Sequence, residues 1–400
     1  MKVLQLCHRL PYPPSDGGSI AMHQITEGLL NQGISVKVLA LSPTLLETSS
    51  KHIDDNYVKQ TGFESVSIDT QVKYIPALVN LFSSKSYNIE RFHSKRMEET
   101  IKDVLLRDHF DIIQLEGLYL TPYIPLIRSL SGSPILFRSH NIEHFIWLRL
   151  ARASRHPFKK MYLQFLATRL KKYEDNIIHE VDGLVAISDI DKQFFIDRGF
   201  TGPSIVIPAG MPELTVHDKE FSRENKSVFH LGSMDWRPNQ EGVIWFLKKV
   251  WPLVIAEMPD LKFYLAGKRM PENFHQYANQ HVVVVGEVDN AIEFLLTKNV
   301  MVVPLLSGGG MRVKIIEGMA ASKVIVSTTI GAEGIGCKHG DHIYLADRPE
   351  DMARYILHCI DHPEEAEQIG KQAREFVQRH YSLERIIKKL IKFYRGFYSN

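Results

Sequence analysis

The residues best suited to chemistry lie in a glycine-rich segment near residue 310. It follows the apolar segment 300–304, which is typical of a buried strand, and precedes a predicted helix. Consecutive glycines leave backbone N–H groups uncovered and let a ligand approach closely. The N-terminus of a helix adds free N–H groups and partial positive charge. The residues predicted to line a diphosphate-binding loop here are Gly308, Gly309, Gly310 and Met311.

Two cations and a carboxylate follow the glycines. Arg312 and Lys314 fall in the first turn of the predicted helix, where the helix dipole disfavours cations by a few tenths of a kcal/mol up to about 1 kcal/mol. A bound anion would reverse that sign, so we predict that both bind phosphate. Glu317, one turn beyond Lys314, could accept hydrogen bonds from a ribose diol. The alternative is a glycine-rich turn followed by an ordinary amphipathic helix with solvated charges.

The bulk composition is typical of an intracellular α/β enzyme. A chain of 400 residues usually forms two domains, and its apolar fraction of 44% is ordinary for globular proteins. The net charge of +2 gives no indication of a nucleic-acid partner. Cys7, Cys337 and Cys359 have no metal-binding spacing and favour a reducing compartment. Since we find neither a signal peptide nor an apolar run of about 18 residues, we predict a cytoplasmic protein.

The first half of the chain alternates short apolar segments with longer amphipathic ones. This alternation predicts parallel strands joined by right-handed helical crossovers. One helix is predicted from about Ser19 to Gln32, with Gly33 at its C-terminal end. The predicted strands cover residues 3–7, 36–40, 112–115, 135–137 and 183–187.

A polar segment separates this half from a second series of strands. That series covers residues 228–232, 261–267, 282–285, 300–303 and 324–326. We therefore predict an α/β fold with two Rossmann-like, doubly wound domains facing each other across a cleft, with ligands outside the carboxyl ends of the strands. The predicted divisions are an N-terminal domain at 1–205, a linker at 206–226, a C-terminal domain at 227–380 and a terminal helix at 381–400.

Short motifs along nearly the whole chain resemble those of one enzyme family. They are Gly17-Gly18 before a helix, Val-Ala-Ile-Ser at 185–188, Val-Ile-Pro at 206–208, Leu-Gly-Ser-Met-Asp-Trp-Arg-Pro-Asn at 231–239, Glu-Gly-Met-Ala at 317–320 and Tyr-Ser-Leu-Glu at 381–384. Through them the chain resembles family 4 glycosyltransferases of the GT-B fold, which are retaining enzymes that use nucleotide sugars. The resemblance implies that the terminal helix crosses back to the N-terminal domain.

The resemblance also implies roles for individual residues. Donor binding is expected from Gly17, Gly18, Ser233, Glu317 and the loop 308–311, and a polar contact to the acceptor from Asp16. An ordinary pair of loop glycines is the alternative for Gly17 and Gly18.

The chain departs from the family pattern at two places. The family often carries a second glutamate eight positions before Glu317, where this chain has Gly309. The carboxylate that contacts the donor sugar in the family is therefore missing. The usual arginine and lysine near the start of the nucleotide domain are not clearly present either, so Arg312 and Lys314 are expected to take the phosphate role.

His140 follows a predicted strand at its carboxyl end, where sites occur in this type of fold. The resemblance implies that a histidine at this place lies over the donor sugar and helps organise the reaction. The alternative is a helix-capping or locally hydrogen-bonded histidine. Arg138 and Glu143 on either side are weaker functional candidates, and a structural role is favoured for each.

The sequence Asp189-Ile190-Asp191 looks like the metal-binding motif of another glycosyltransferase fold. We reject that interpretation, because these residues follow Ser188 and open a predicted helix, where Asp side chains accept from free N–H groups. No His and Cys cluster indicates zinc. We predict no metal, and no cofactor apart from the donor substrate.

A segment near the middle of the chain is strongly basic. Residues 149–172 contain no Asp or Glu but hold Arg149, Arg152, Arg155, Lys159, Lys160, Arg169, Lys171 and Lys172, with aromatic residues between them. One interpretation is peripheral contact with an anionic membrane at its inner face, or with an anionic acceptor. The other is a solvated basic helix.

These observations together predict a glycosyltransferase. It would move a sugar from a nucleoside diphosphate sugar to a hydroxyl of a glycan or lipid-linked acceptor, as in cell-surface polysaccharide or glycolipid synthesis. A catalytically inactive GT-B partner that binds a nucleotide sugar is the first alternative. A nicotinamide-dependent oxidoreductase is disfavoured, because proline-rich sequence and not Gly-x-Gly-x-x-Gly follows the first strand.

Overall fold

A computed structural model describes residues 1–14, 16–43, 53–71, 80, 83, 85–154, 156–211, 226–308 and 311–397. The chain divides into two compact units. Unit 1 comprises Met1–Gly210 with Leu383–Asn400, and unit 2 comprises Met211–Ser382. Three groups of predicted residues lie outside the described residues: Gly309 and Gly310, Arg155, and 212–225 in the predicted linker.

Unit 1 contains a sheet of seven parallel strands in the order β3-β2-β1-β4-β5-β6-β7. The strands are β1 Lys2–Cys7, β2 Ser35–Pro43, β3 Glu64–Ile68, β4 Ile112–Glu116, β5 Ile135–Ser139, β6 Gly183–Ala186 and β7 Ser204–Val206. Five of them confirm the predicted apolar segments. The strand β3 was missed because it lies at the edge of the sheet and has the polar sequence Glu-Ser-Val-Ser-Ile.

The helices of unit 1 connect these strands and cover the sheet. They are α1 Gly17–Asn31, α2 Asp55–Thr61, α3 Tyr87–Glu90, α4 Lys95–Arg107, α5 Ile124–Leu130, α6 Glu143–Ala153, α7 Pro157–Ile177, α8 Asp189–Asp197 and α15 Leu383–Arg395. The predicted start of α1 at Ser19 was wrong by two residues. Asp16 is the N-cap and exchanges two 2.9 Å hydrogen bonds with Ser19, so the helix already includes Gly17 and Gly18.

Unit 2 contains a sheet of six parallel strands in the order β10-β9-β8-β11-β12-β13. The strands are β8 Ser227–Leu231, β9 Lys262–Ala266, β10 Val282–Gly286, β11 Val300–Val303, β12 Val324–Ser327 and β13 Tyr344–Leu345. The helices are α9 Arg237–Trp245, α10 Trp251–Glu257, α11 Ala291–Thr297, α12 Val313–Ala320, α13 Pro349–Asp361 and α14 Pro363–His380, with a π-helical turn at Phe246–Val250. The two-residue strand β13 is too short to give a periodic signal.

The central strands of both sheets are buried along their length, as a parallel sheet covered by helices requires. The predicted α/β class with two doubly wound domains is therefore confirmed. Strand order reverses next to β1 in unit 1 and next to β8 in unit 2. Ligands of such sheets bind at these switch points, outside the carboxyl ends of the strands. Within the described ranges, no helix has both the length and the apolar character that crossing a bilayer requires.

Candidate functional site

Lys314 is the central cation at the switch point of unit 2. It is the second residue of α12, whereas Arg312 precedes that helix at the N-cap position. The prediction that both lie in the first turn was thus correct only for Lys314. The Lys314 Nζ donates to Asn239 Oδ1 at 2.7 Å and lies 3.5 Å from His230 Nε2. The helix α9 supplies Asn239, and the strand β8 supplies His230.

The partners of Lys314 are electrically neutral. His230 donates from Nδ1 to the Val302 carbonyl at 2.9 Å, and burial holds the pKa of its ring well below the ordinary value. Burial, followed by repulsion from Arg312, lowers the pKa of Lys314 to about 7, while Glu317 opposes that shift. Among the described residues, Lys314 forms no salt bridge. An anion placed here would restore its charge.

Arg312 lies two residues before Lys314, at the N-cap of the same helix. Its side chain is buried, and its guanidinium carbon is 5.3 Å from the centre of the Trp236 ring. Gly308 makes this arrangement possible, because its φ of +118° favours glycine and a Cβ there would lie 2.9 Å from Trp236 and 3.0 Å from Arg312. A similar restriction applies at Gly232, where a Cβ would lie 2.5 Å from Lys314 Nζ.

The other predicted donor residues of unit 2 surround this cation pair. Glu317 is half-buried on α12, and burial raises its pKa against the opposing effect of Lys314. The carbonyl of Ser233 accepts from Asn239 Nδ2 at 2.7 Å and so fixes the amide that holds Lys314. Met311 is half-buried and packs on the apolar cluster beneath the sheet.

A second polar cluster lies at the switch point of unit 1 and centres on Glu116. This residue ends β4 and is fully buried. Its Oε1 accepts from Gln5 Nε2 at 2.9 Å and from Gln114 Nε2 at 2.6 Å. Its Oε2 accepts from Arg138 Nη1 at 3.0 Å and lies 2.7 Å from His140 Nε2. Every neighbour of the carboxylate can therefore donate to it.

The negative charge of Glu116 is compensated by neighbouring side chains inside the protein. Burial opposes ionisation of Glu116, yet Arg138 and His140 together lower its pKa to about 2. Burial also lowers the pKa of His140, whose side chain is 10% exposed. The helix-capping alternative for His140 is wrong, because α6 begins only at Glu143 and Ile142 is its N-cap. His140 is held by a carboxylate that lies 24 residues earlier in the chain.

The predicted residues at the start of α1 connect to the same cluster. His8 Nδ1 lies 2.6 Å from the Glu116 carbonyl, and Arg9 Nε donates to His8 Nε2 at 3.1 Å. Arg9 also donates from Nη1 to Asp16 Oδ2 at 2.8 Å. Burial lowers the pKa of His8 to about 3, so this ring is neutral. Asp16 thus has an ion pair and a capping role, and Gly17 and Gly18 follow it in the first helical turn.

A third carboxylate of unit 1 lies near this cluster. Tyr119 donates from its hydroxyl to Glu143 Oε2 at 2.7 Å, and burial raises the pKa of Glu143 to about 7. Glu174 of α7 accepts from the backbone N–H groups of Glu143 and His144 at 2.8 and 3.1 Å, and so anchors the start of α6. The structural role expected of Glu143 stays a prediction, since its contact with Glu174 is made by its backbone N–H, whereas its side chain accepts from Tyr119.

Comparison with known proteins gives one family match and a full-length relative. Residues 225–362, about a third of the chain, match the model of the family described as Glycosyl transferases group 1. An uncharacterised 44.6 kDa protein of the cps region of Klebsiella pneumoniae is 24% identical to this chain, over 98% of this chain and 99% of the relative.

Solved structures resemble the chain over nearly its whole length. Sucrose-phosphate synthase from Thermosynechococcus elongatus covers 100% of both chains with a TM-score of 0.71 and 18% identity. HepE from Anabaena, in complex with UDP-glucose, covers 99% of this chain and 100% of its own, with a TM-score of 0.65 and 14% identity. The chain has the GT-B fold. Together with the family match, these likenesses support a glycosyltransferase.

In this GT-B protein the Asp-x-Asp motif opens a helix as predicted, but the side chain that accepts from a free N–H group is that of Ser188. Ser188 is the N-cap of α8 and accepts from the Asp191 N–H at 3.1 Å, while its hydroxyl donates to Asp191 Oδ2 at 2.6 Å. Both aspartates therefore lie at the start of a helix. In the part of the chain that the structure describes, no group of three or more His, Cys, Asp or Glu side chains has the geometry of a metal site.

Sequence reasoning missed several residues of both clusters. In unit 2 these are His230, Trp236 and Asn239, although the last two belong to the motif at 231–239. In unit 1 they are His8, Arg9, Glu116 and Tyr119. Each missed residue of unit 1 lies shortly after a strand or at its last position, so inspection of every strand end could have found them.

Proposed function

We propose that the protein is a retaining, metal-independent glycosyltransferase of family 4. It transfers a sugar from a nucleoside diphosphate sugar to a hydroxyl of a glycan or lipid-linked acceptor, in cell-surface polysaccharide or glycolipid synthesis. The observation that carries the proposal is Lys314, a cation at the switch point of unit 2 whose hydrogen-bond partners are neutral. The cps region of the Klebsiella relative supports the polysaccharide context, and UDP-glucose bound to HepE supports the donor class.

The proposed chemistry relies on stabilising the leaving group. As the glycosidic bond to the donor breaks, negative charge accumulates on the departing diphosphate. Lys314 and Arg312 compensate that charge, and preorganised cations in a partly dehydrated site are effective in this role. Glu317 holds the ribose, and Gly308 leaves room for the phosphates. His140 acts on the sugar side, and no carboxylate is assigned as a covalent nucleophile because Gly309 stands at the family position.

A two-stage experiment tests the proposal. Thermal unfolding with a panel of nucleoside diphosphates and their sugars identifies the donor, since a ligand at 100 times its Kd adds about 2.7 kcal/mol of stability. Release of nucleoside diphosphate with a panel of acceptors then measures turnover. Binding with turnover supports the proposal. Binding without turnover on any acceptor favours the inactive GT-B partner. The observation that favours this alternative is Gly309, which stands where the family often has a glutamate. No binding of any nucleotide contradicts both.

We further propose that the start of α7 contacts the anionic inner face of a membrane. Phe158 and Met161 lie one turn apart and are 72% and 63% exposed. The exposed cations Lys159 and Lys160 lie between them in sequence and therefore on other sides of the helix, so an apolar side and a basic side occur on one helix, as in membrane-surface helices.

Co-sedimentation with anionic phosphatidylglycerol vesicles tests this contact. Binding should fall as salt rises, since surface charges are screened over about 10 Å at 0.1 M salt. The double substitution of Phe158 and Met161 by Ala should weaken it. The matched control is Leu106→Ala, which removes a side chain that is 67% exposed on α4. Equal vesicle binding by the double variant and by Leu106→Ala would contradict the proposal. So would the failure of the wild type to bind vesicles at low salt.

A further inference from the structure

The carboxylate of Glu116 accepts hydrogen bonds on two sides, from two amides at Oε1 and from a guanidinium and an imidazole at Oε2. On the Oε1 side, two amide groups donate to it, and other contacts fix their orientation. Thr26 Oγ1 donates to Gln5 Oε1 at 2.6 Å, and the Tyr394 hydroxyl donates to Gln114 Oε1. Both amides therefore present their NH₂ groups to Glu116, and this side needs an acceptor.

On the Oε2 side the neighbours are a guanidinium and an imidazole. Arg138 can only donate. Because the carboxylate is ionised and only accepts, the 2.7 Å contact with His140 requires a proton on Nε2. We propose that Glu116 is a positioning residue for His140: it fixes the tautomer with Nε2 protonated and leaves Nδ1 as the free acceptor that meets the substrate. The last part of this statement rests on the proposed function.

Unit 1 contains another buried histidine–carboxylate pair that serves as an internal comparison. Glu174 Oε2 lies 2.6 Å from Nδ1 of His144, on the opposite ring nitrogen. That carboxylate also accepts two backbone N–H groups at the start of α6, and both side chains are 1% exposed. The pair of His144 and Glu174 therefore has an evident structural task, whereas that of His140 and Glu116 joins two strand ends at the switch point.

The two-sided geometry makes Glu116→Gln informative. Two fixed amide donors, from Gln5 and Gln114, hold the oxygen of the new amide on the Oε1 side, against the single donor Arg138 on the other side. Its NH₂ group then faces His140, which must offer Nε2 as an acceptor, and the guanidinium of Arg138, which the double variant with Arg138→Met removes. We expect the tautomer of His140 to invert, with the proton moving to Nδ1. Positioned acid–base groups contribute about 10²–10⁴-fold to rates, so kcat should fall about 100-fold while nucleoside diphosphate affinity in unit 2 stays unchanged.

Nitrogen-15 NMR of the histidine side chains in the full-length protein tests the tautomer without any substrate. His140 signals are assigned by their loss in His140→Asn. In the wild type, near neutral pH, we expect protonated Nε2 and unprotonated Nδ1. Glu116→Gln should invert this pattern, while the control Glu174→Gln should leave His140 unchanged. A wild-type His140 protonated on Nδ1, or an uninverted pattern in Glu116→Gln, overturns the proposal. The charged groups that face the ring are Glu116, Arg138 and Arg9, with His8 close by.

Glu116→Gln leaves the Arg138 charge buried without a carboxylate. If that variant does not fold, the double variant Glu116→Gln with Arg138→Met removes both charges and should show the same inversion. Inversion without any wild-type turnover would refute the proposed function and leave the tautomer assignment intact. Inversion with unchanged kcat in an active enzyme would refute the positioning role and leave the function intact.

Discussion

Both units carry a cation at the switch point of the sheet, but they compensate its charge differently. In unit 1, Arg138 donates at 3.0 Å to Glu116, and both side chains are completely buried. In unit 2, Lys314 donates to the neutral amide of Asn239 and faces the neutral ring of His230. A charge removed from water is costly unless it is paired. The cation of unit 1 is therefore part of the fold, whereas that of unit 2 is the one that we propose binds an anion from outside.

The two units also differ in how firmly an ionisable group at the switch point keeps its charge. The paired carboxylate Glu116 has a pKa of about 2 and stays ionised across the physiological range. The pKa of Lys314, at about 7, lies where a small change in the surroundings changes its charge. A bound diphosphate would raise that pKa and keep the lysine protonated. Charge in unit 2 thus depends on the ligand, and charge in unit 1 does not.

Breaking the buried ion pair of Arg138 and Glu116 should have the largest effect, a loss of folding stability. Arg138→Met leaves Glu116 buried without its cation, which typically costs about 3–5 kcal/mol. The control Arg128→Met removes a surface arginine that pairs with Asp182 at 2.7 Å, and exposed pairs contribute about 1 kcal/mol or less. Urea denaturation of both variants measures the difference. Equal, small losses would show that the pair in unit 1 is not needed for the fold.

Removing the cations of unit 2 should affect the ligand and not the fold. Lys314→Ala or Arg312→Ala should lower kcat/KM for the donor by about 10- to 100-fold, since hydrogen bonds to charged groups contribute about 1.5–3 kcal/mol. The double variant should lose less than the product if both cations bind one phosphate.

The same substitutions should be neutral or slightly stabilising in the empty protein, because a poorly solvated charge is removed. Lys248→Ala, at an exposed position of unit 2, is the control for both assays. Normal donor kinetics combined with lower stability would mean that the cations serve the fold.

A smaller effect on nucleotide affinity should test whether Glu317 of unit 2 contacts the ribose. Glu317→Ala removes the proposed ribose contact, and a single hydrogen bond contributes about 0.5–1.5 kcal/mol, or roughly 3- to 10-fold in affinity. The loss should appear with a nucleoside diphosphate but not with inorganic pyrophosphate, which has no ribose. Lys314→Ala should weaken both ligands. If Glu317→Ala binds the nucleoside diphosphate normally in calorimetry, the ribose assignment is wrong.

The sequence predicts the fold well where the signal is local. Buried parallel strands are mostly apolar, so β1, β4, β8 and β11 could be found from the sequence alone. The strand β3 carries polar residues at an edge and lacks that signal. Capping also acts locally, which is why the start of α8 after Ser188 was predictable, although the sequence analysis assigned the capping to the aspartates and the N-cap is Ser188.

The candidate sites were predictable only in part, because their contacts are long-range. The glycine and cation segment of unit 2 is contiguous, so Gly308 and Lys314 could be recognised together. Asn239, which holds Lys314, lies 75 residues away. Glu116 lies 24 residues from His140 and meets it only because β4 and β5 are neighbours in the sheet. No spacing in the chain indicates such a pair.

We propose that unit 2 leaves a cation for an anionic ligand, and proton uptake on binding tests this proposal most directly. Lys314 has a folded pKa of about 7, below its usual value of about 10.4. It is therefore mostly neutral at about pH 8.5, and a bound diphosphate should reprotonate it. The affinity of the wild type should consequently decrease as pH rises above about 7.

The measurement is calorimetry of nucleoside diphosphate binding at about pH 8.5 in buffers of different ionisation enthalpy. The wild type and Lys248→Ala should take up nearly one proton more per nucleotide than Lys314→Met, which should also bind about 10- to 100-fold more weakly. Equal proton uptake and equal affinity in Lys314→Met would contradict the account.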